Sequence, residues 1–212
     1  MKTKIDLETW SRKHHFAFFN AFDEPLFGAT VNIDVTVAYQ TAKQRGISFF
    51  LYYLHCILTA ANQVKEFKYR VEDGDVYLYD VVNTSTTISR PDTTFGFSYI
   101  DHQPDLDQFI IGAQAEIKRV KSTVGLELRP VYNVLHVSAI PWVNFTALTH
   151  ARNFAFKDSM PKISLGKITE LNGKKTMPVS VTVHHGLMDG RHVGEFIDTF
   201  QELLNRQYQV RR

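Results

Sequence analysis

The chain has 212 residues, 44% hydrophobic and 22% charged, the make-up of a packed globular protein, which excludes disorder, collagen and disulfide scaffolds. Lysine and arginine total 24 against 22 aspartates and glutamates, a net charge of +2 with histidine neutral. That balance gives neither the basic stripe of a nucleic-acid binder nor an acidic tail.

The N-terminus, Met1 to Glu8, has no apolar segment of the signal-peptide kind. Leu7 to Phe19 predicts a short helix, with Trp10, His14 and Phe18 on one face by their spacing of four. Thr30 to Thr36 alternates, with Val31, Ile33 and Val35 against Asn32, Asp34 and Thr36, as a half-buried strand does. Phe49 to Val64 reads as a buried helix. Its most apolar part, Phe49 to Ala61, is broken by His55 and falls short of the ~20 residues of a membrane span. Tyr69 to Asp80 predicts a hairpin turning at Glu72-Asp73-Gly74-Asp75. Thr84 to Ser98 is β-rich, with a turn at Pro91-Asp92. Asp105 to Ser122 predicts a helix whose apolar stripe is Phe109, Ala113, Ile117 and Val120. Strands follow over Asn133 to Ile140, Ile163 to Glu170 and Met177 to His184, the last two joined at Leu171-Asn172-Gly173-Lys174. Gly190 to Arg206 predicts a closing helix with Val193, Ile197, Phe200 and Leu204 on one face.

Prolines and glycines fall singly, without linker or repeat, so residues 1–212 are expected to form one domain. Cys56 is the single cysteine, so no intramolecular disulfide forms, in keeping with a reducing cytoplasm. No glycine-rich strand-to-helix turn announces a nucleotide site. Strands with a two-residue period, alternating irregularly with helices, predict an α+β fold with helices on one side of a mostly antiparallel sheet.

The chemistry concentrates in Met177 to Arg191, where a strand ends in two histidines and, after a short loop, Asp-Gly opens a helix. Alternation sends His184 and His185 to opposite sides, so at most one enters a given pocket. A histidine at a strand end is rigidly held and titrates near neutrality, as a general base must. Asp189 stands where an aspartate caps a helix, holds a cation or orients a loop. On the residues alone, two plainer readings compete. One is a metal site with His192, although the spacing matches no zinc motif; the other is a pair of ordinary, partly buried histidines. His14, His15, His55, His102, His136 and His150 read as structural.

His184-His185-Gly186-Leu187-Met188-Asp189-Gly190 is an HHxxxDG motif. It resembles the signature of the chloramphenicol acetyltransferases and, more widely, of CoA-dependent acyltransferases. Val137-Ser138-Ala139-Ile140-Pro141-Trp142-Val143-Asn144-Phe145 resembles the segment around that family's serine, and Trp10 to Phe19 is similar to its N-terminal Trp-x-Arg helix. The resemblance runs in order from about Ile5 to about Leu204.

It implies a two-layer, chloramphenicol-acetyltransferase-like sandwich with a mixed sheet. It implies transfer of acetyl from acetyl-CoA to a hydroxyl of chloramphenicol through a ternary complex, and hence antibiotic resistance. His185 would be the general base, Ser138 the oxyanion donor, and Arg12 with Asp189 the ion pair that orients the loop. Phe18, Phe19, Phe27, Phe95, Leu148 and Ser164 would form the acceptor pocket, with Trp142 beside the path of CoA. Acetyl-CoA is then a co-substrate, with no further cofactor, no metal, and no nucleic-acid or membrane partner. A homotrimer is implied, each site taking its base from one subunit and most of its acceptor pocket from the neighbour. Some positions depart from the family pattern: Phe19 for a frequent Tyr, Leu148 and His150 for Phe and Leu, Ser164 for Thr, and Gly186-Leu187-Met188 for Ala-Val-Cys. The pocket changes keep two alternatives open, the same chemistry on another hydroxylated acceptor and a non-catalytic trimer that sequesters a ligand. The joint presence of His185, Ser138, Arg12 and Asp189 speaks against the second.

Overall fold

In the computed structural model, which describes residues 1–206, ten strands and five α-helices follow in chain order; positions 207–212 of the expected domain lie outside the described residues. They are β1 (Lys2–Lys4), α1 (Lys13–Phe19), β2 (Leu26–Asp34), α2 (Thr36–Gln44), α3 (Phe49–Gln63), β3 (Tyr69–Glu72), β4 (Asp75–Tyr79), β5 (Asn83–Ser89), β6 (Phe95–Ile100), α4 (Leu106–Lys121), β7 (Val134–Ala139), β8 (Lys162–Leu165), β9 (Thr169–Leu171), β10 (Lys174–His184) and α5 (Gly190–Asn205). The main sheet has the order β2-β10-β8-β7-β5-β6, with β9 also on β10. The β5/β7 and β7/β8 pairs are parallel and the rest antiparallel. The α+β class with a mixed, mostly antiparallel sheet is as the sequence implies.

Alternation along the strands sends Ile33, Leu135, Val137, Ile163, Val179 and Val181 to one face, where they pack against α2, α3, α4 and α5. Register puts Ser138 opposite Ser164, Ser164 opposite Ser180, and Ser180 opposite Thr30, so a row of hydroxyls crosses the other face. The helix α3 is buried almost all round, Leu51 to Leu58 included. Burial there pushes the Cys56 thiol up to about 12. Among the described residues no helix is long and apolar enough to cross a membrane. The cap of α4 is Asp105, which accepts the N–H groups of Asp107 and Gln108 at 3.0 Å each, and its stripe is buried at Phe109, Ala113 and Val120, as the periodicity predicts.

Arg70 on β3 is fully buried. Its guanidinium donates to the carbonyls of Phe67 (2.8 Å), Tyr69 (2.6 Å), Tyr132 (2.7 Å) and Val134 (2.8 Å), which ties β3 to the start of β7. Burial pulls its pKa down to about 10, still high enough to leave it cationic at neutral pH.

Four expectations need correction. The first helix starts at Lys13, not Leu7: Asp6 accepts from the Glu8 N–H and the Thr9 hydroxyl and holds this stretch in a turn. The buried residue of α1 is therefore Phe16, while His14 and Phe18 are exposed. The second strand ends at Asp34, because Val35 caps the unpredicted helix α2 and Asp34 accepts from Thr36. The expected strand Ile163 to Glu170 splits into β8 and β9 at Gly166, where an added Cβ would lie 2.6 Å from Pro178 Cγ and 2.7 Å from the Val143 carbonyl oxygen. Finally, the predicted hairpin β3–β4 gains β1 and forms a separate three-stranded sheet. That sheet shares a small core of Phe16, Tyr69, Val71 and Val76 with Leu187, so it backs the loop after β10.

Candidate active site

The two histidines at the end of β10 have separate surroundings, as strand alternation predicts. His184 is 2% exposed; its Nδ1 accepts the Gly186 N–H at 3.2 Å. Burial pulls its pKa down to about 4, so it is neutral at pH 7. His185 donates its backbone N–H to the Pro25 carbonyl at 2.8 Å. Its ring lies face to face with Phe19, centroids 3.9 Å apart at 9°, and against Phe27 at 4.4 Å. Its Nδ1 is buried without a hydrogen-bond partner among the described residues.

Arg12 caps α1 and clamps the loop between β10 and α5. Its Nη1 meets Asp189 Oδ2 at 2.9 Å, Nη2 donates to the His185 carbonyl at 3.3 Å, and Nε to the Gly186 carbonyl at 3.4 Å. Asp189 also caps α5, its Oδ1 accepting the Arg191 N–H at 3.1 Å. Burial works against the charged carboxylate and is the largest single influence, but the Arg12 hydrogen bond, the Arg191 N–H and the nearby positive charge together outweigh it and hold the Asp189 carboxyl below the usual carboxylate range. His192 completes the cap, its Nδ1 accepting the Asp189 N–H at 3.1 Å. This role could have been read from its capping-box spacing three residues after the cap. Among the described residues no three His, Cys, Asp or Glu side chains gather as a metal site would require.

The structure thus brings Arg12, Phe19, Phe27, His185 and Asp189 together. It does not bring Ser138 to them. Ser138 lies two strands across from β10, in line with Ser180, which is five residues before His185. At about 4.8 Å per strand and 3.3 Å per residue, the two are roughly 19 Å apart. Ser164, between them, is fully buried, and its hydroxyl has no hydrogen-bond partner among the described residues. Phe18 is 61% exposed beside Phe19 and Phe22. Phe95 begins β6, at the sheet edge opposite β2, and is 44% exposed against Phe97. Leu148 and Phe27 line a cleft of about 470 Å³ with Thr30, Ser180, Thr182 and His150. Trp142 stands, 74% exposed, at a cavity of about 630 Å³ bounded by Phe49, Tyr53, Ile117 and Met177. Lys121 and Lys167 also line this cavity; the sequence does not single out either, because each reads as an ordinary surface lysine.

Burial also pulls His136 down to about 4. Both His136 and His184 then have folded pKa values below the unfolded value of about 6.5. Above that pH neither state binds the proton. Below it the unfolded chain takes up protons that the folded chain refuses, so stability falls between pH 6.5 and 4, by roughly 3 kcal/mol for each group. Denaturant unfolding at pH 7.5, 5.5 and 4.5 checks this. A flat profile, or one that His184→Asn leaves as steep as before, would contradict it.

A family model described as chloramphenicol acetyltransferase matches residues 1–201. The chain is 31% identical over 207 residues to chloramphenicol acetyltransferase 3 of Escherichia coli, covering 96% of this chain and 97% of that protein. It is 30% identical over 204 residues to a chloramphenicol acetyltransferase of Proteus mirabilis, covering 93% and 92%. A solved chloramphenicol acetyltransferase matches the fold with a TM-score of 0.86 at 32% identity, over 96% of this chain and 100% of that one. The truncated catalytic core of a Thermoplasma acidophilum 2-oxoacid dehydrogenase complex shares the fold alone, with a TM-score of 0.67 at 17% identity, over 94% and 97%.

Proposed function

The chain belongs to the chloramphenicol acetyltransferase family, and from that premise we propose that it moves the acetyl group of acetyl-CoA to a hydroxyl of chloramphenicol, conferring resistance. His185 is the general base. It takes the hydroxyl proton as the oxygen attacks the thioester carbonyl, because a neutral alcohol is a poor nucleophile at pH 7. The new C–O bond forms, the C–S bond breaks, and the proton passes from His185 to the CoA sulfur. Ser138 donates a hydrogen bond to the oxyanion between these steps. The observation that carries this reading is the clamp on His185: a ring stacked on Phe19 in a loop fixed by Arg12 and Asp189.

Since Ser138 lies roughly 19 Å from His185 in the same chain, at about 4.8 Å per strand and 3.3 Å per residue, one site needs the base of one copy and the serine of another. This supports a homotrimer with its sites between subunits. Phe18, Phe19, Phe27, Phe95, Leu148 and Ser164 line the acceptor side. The cavity beside Trp142 takes the acetyl-CoA arm along its apolar wall, with Lys121 and Lys167 near the phosphates. The protein works as one domain in the cytoplasm, with acetyl-CoA as co-substrate.

The test is thiol release from acetyl-CoA, followed with a chromogenic thiol reagent, with and without chloramphenicol. Release that depends on chloramphenicol is expected; its absence from folded protein would refute the acceptor. Ser138→Ala is expected to lower kcat by about 10²–10³-fold with little change in either KM. One observation favours a second reading, another hydroxylated acceptor. The cleft beside Phe27 carries the hydroxyls of Thr30, Thr146, Thr149, Ser180 and Thr182 as well as His150, more polar groups than an aromatic pocket needs.

A further inference from the structure

Arg90 sits just before the turn between β5 and β6, and its side chain is buried. Its guanidinium joins three segments. Nη1 donates to the Phe95 carbonyl at 2.9 Å and to the Gly125 carbonyl at 3.0 Å. Nη2 donates to the Thr123 hydroxyl at 3.2 Å, and Nε to the Val120 carbonyl at 3.1 Å, in the last turn of α4. A cation suits that end of a helix. All four partners are neutral oxygens, so geometry rather than ion pairing holds the group. The space for it comes from Gly96, where an added Cβ would lie 2.4 Å from Nη2.

The segments it joins carry walls of both substrate spaces. Ile88 and Ser89 at the end of β5, and Lys121 at the end of α4, line the cavity of about 630 Å³. Phe95 is the acceptor-side ring at the start of edge strand β6. The rest of that cavity wall is held apart from Arg90, through Tyr53, Leu165 and Met177 in the main core and Phe49, Phe50 and Ile117 packed against it. Phe95 is 44% exposed, with Phe97 as its ring neighbour, so its place rests on its backbone, which the ladder holds opposite Ser89 and the Arg90 hydrogen bond anchors at the carbonyl.

We propose that Arg90 is a positioning residue for the acceptor: it fixes Phe95 and the turn at 123–125 against the end of α4, and so sets the acceptor wall relative to the acetyl-CoA cavity. The inference rests on the acceptor role given to Phe95 above. Lysine at this position would present three donors from one atom on a flexible stem, and so could not span acceptors on three segments. Charge would be kept and the fork geometry would not.

The experiment measures both KM values, kcat and the melting temperature for wild type, Arg90→Lys and the milder Thr123→Val, which removes one partner and leaves the guanidinium. Arg90→Lys is expected to raise the KM for chloramphenicol about tenfold and Thr123→Val about threefold, because a misplaced positioning group is felt in binding. The KM for acetyl-CoA and kcat should stay within about twofold, since His185, Ser138 and the core-anchored cavity wall are untouched. A lower melting temperature with an unchanged chloramphenicol KM in both variants would mean a purely structural staple and overturn the inference alone. Wild-type protein that releases no thiol with chloramphenicol would overturn the acceptor reading, and this inference with it.

Discussion

Replacing His185 by glutamine is expected to lower kcat by about 10²–10⁴-fold, the range that a positioned general base contributes. Glutamine keeps the backbone N–H that donates to Pro25 and offers a polar head of similar reach, but it cannot take a proton at neutral pH. The stability change should be small. The variant gives up chiefly the ring stack on Phe19, and aromatic pairs are worth about 0.5–1.5 kcal/mol beyond their area. Steady-state kinetics beside a thermal melt separates the two effects. Near-full turnover in a folded His185→Gln protein would mean that another group accepts the proton. His184 is a poor substitute, because it is buried and its Nδ1 is engaged by the Gly186 N–H.

Arg70→Met is expected to cost about 3–5 kcal/mol of stability, because each buried acceptor left without a partner costs about 1–3 kcal/mol and loss of the desolvated charge offsets part of the sum. Methionine fills much of the volume but donates nothing, and leaves the carbonyls of Phe67, Tyr69, Tyr132 and Val134 without the donor they share. For a chain of this length the destabilisation corresponds to a fall in melting temperature of about 6–20 °C. Differential scanning calorimetry at fixed protein concentration measures it; a fall below about 2 °C would show that water re-satisfies the four carbonyls. Arg70 joins β3 to the start of β7, the strand that carries Ser138, so kcat should fall together with stability. His185→Gln should lower kcat with only a small change in stability.

The sequence made most of this fold legible where one physical signal acted alone. The helices α3, α4 and α5 stand out by the periodicity of large apolar residues, and the turns at Asp73-Gly74 and Asn172-Gly173 by residues that accept positive φ, as all four do. Helix α2 was not legible because the residues it buries, Ala38, Thr41 and Ala42, are small, and because Thr36 continues the alternation of the strand before it. Strand β1 exists only through pairing with β4, more than seventy residues away, which no local pattern reports. Within the site, the motif from His184 to Gly190 and the Arg12/Asp189 pair could be read from spacing and resemblance. The Pro25 carbonyl, the stack on Phe19 and the anchoring by Arg90 could not, because each depends on how distant segments meet.

Helix α3 also bears on how the chemistry can be watched. The chain's single thiol, Cys56, is 2% exposed and its pKa is pushed up to about 12, so at assay pH it is neither reachable nor ionised. A disulfide reagent added to the folded protein should therefore read a blank. Every equivalent of colour then reports liberated CoA, and a slow rise without substrate serves as a built-in alarm that the protein is unfolding.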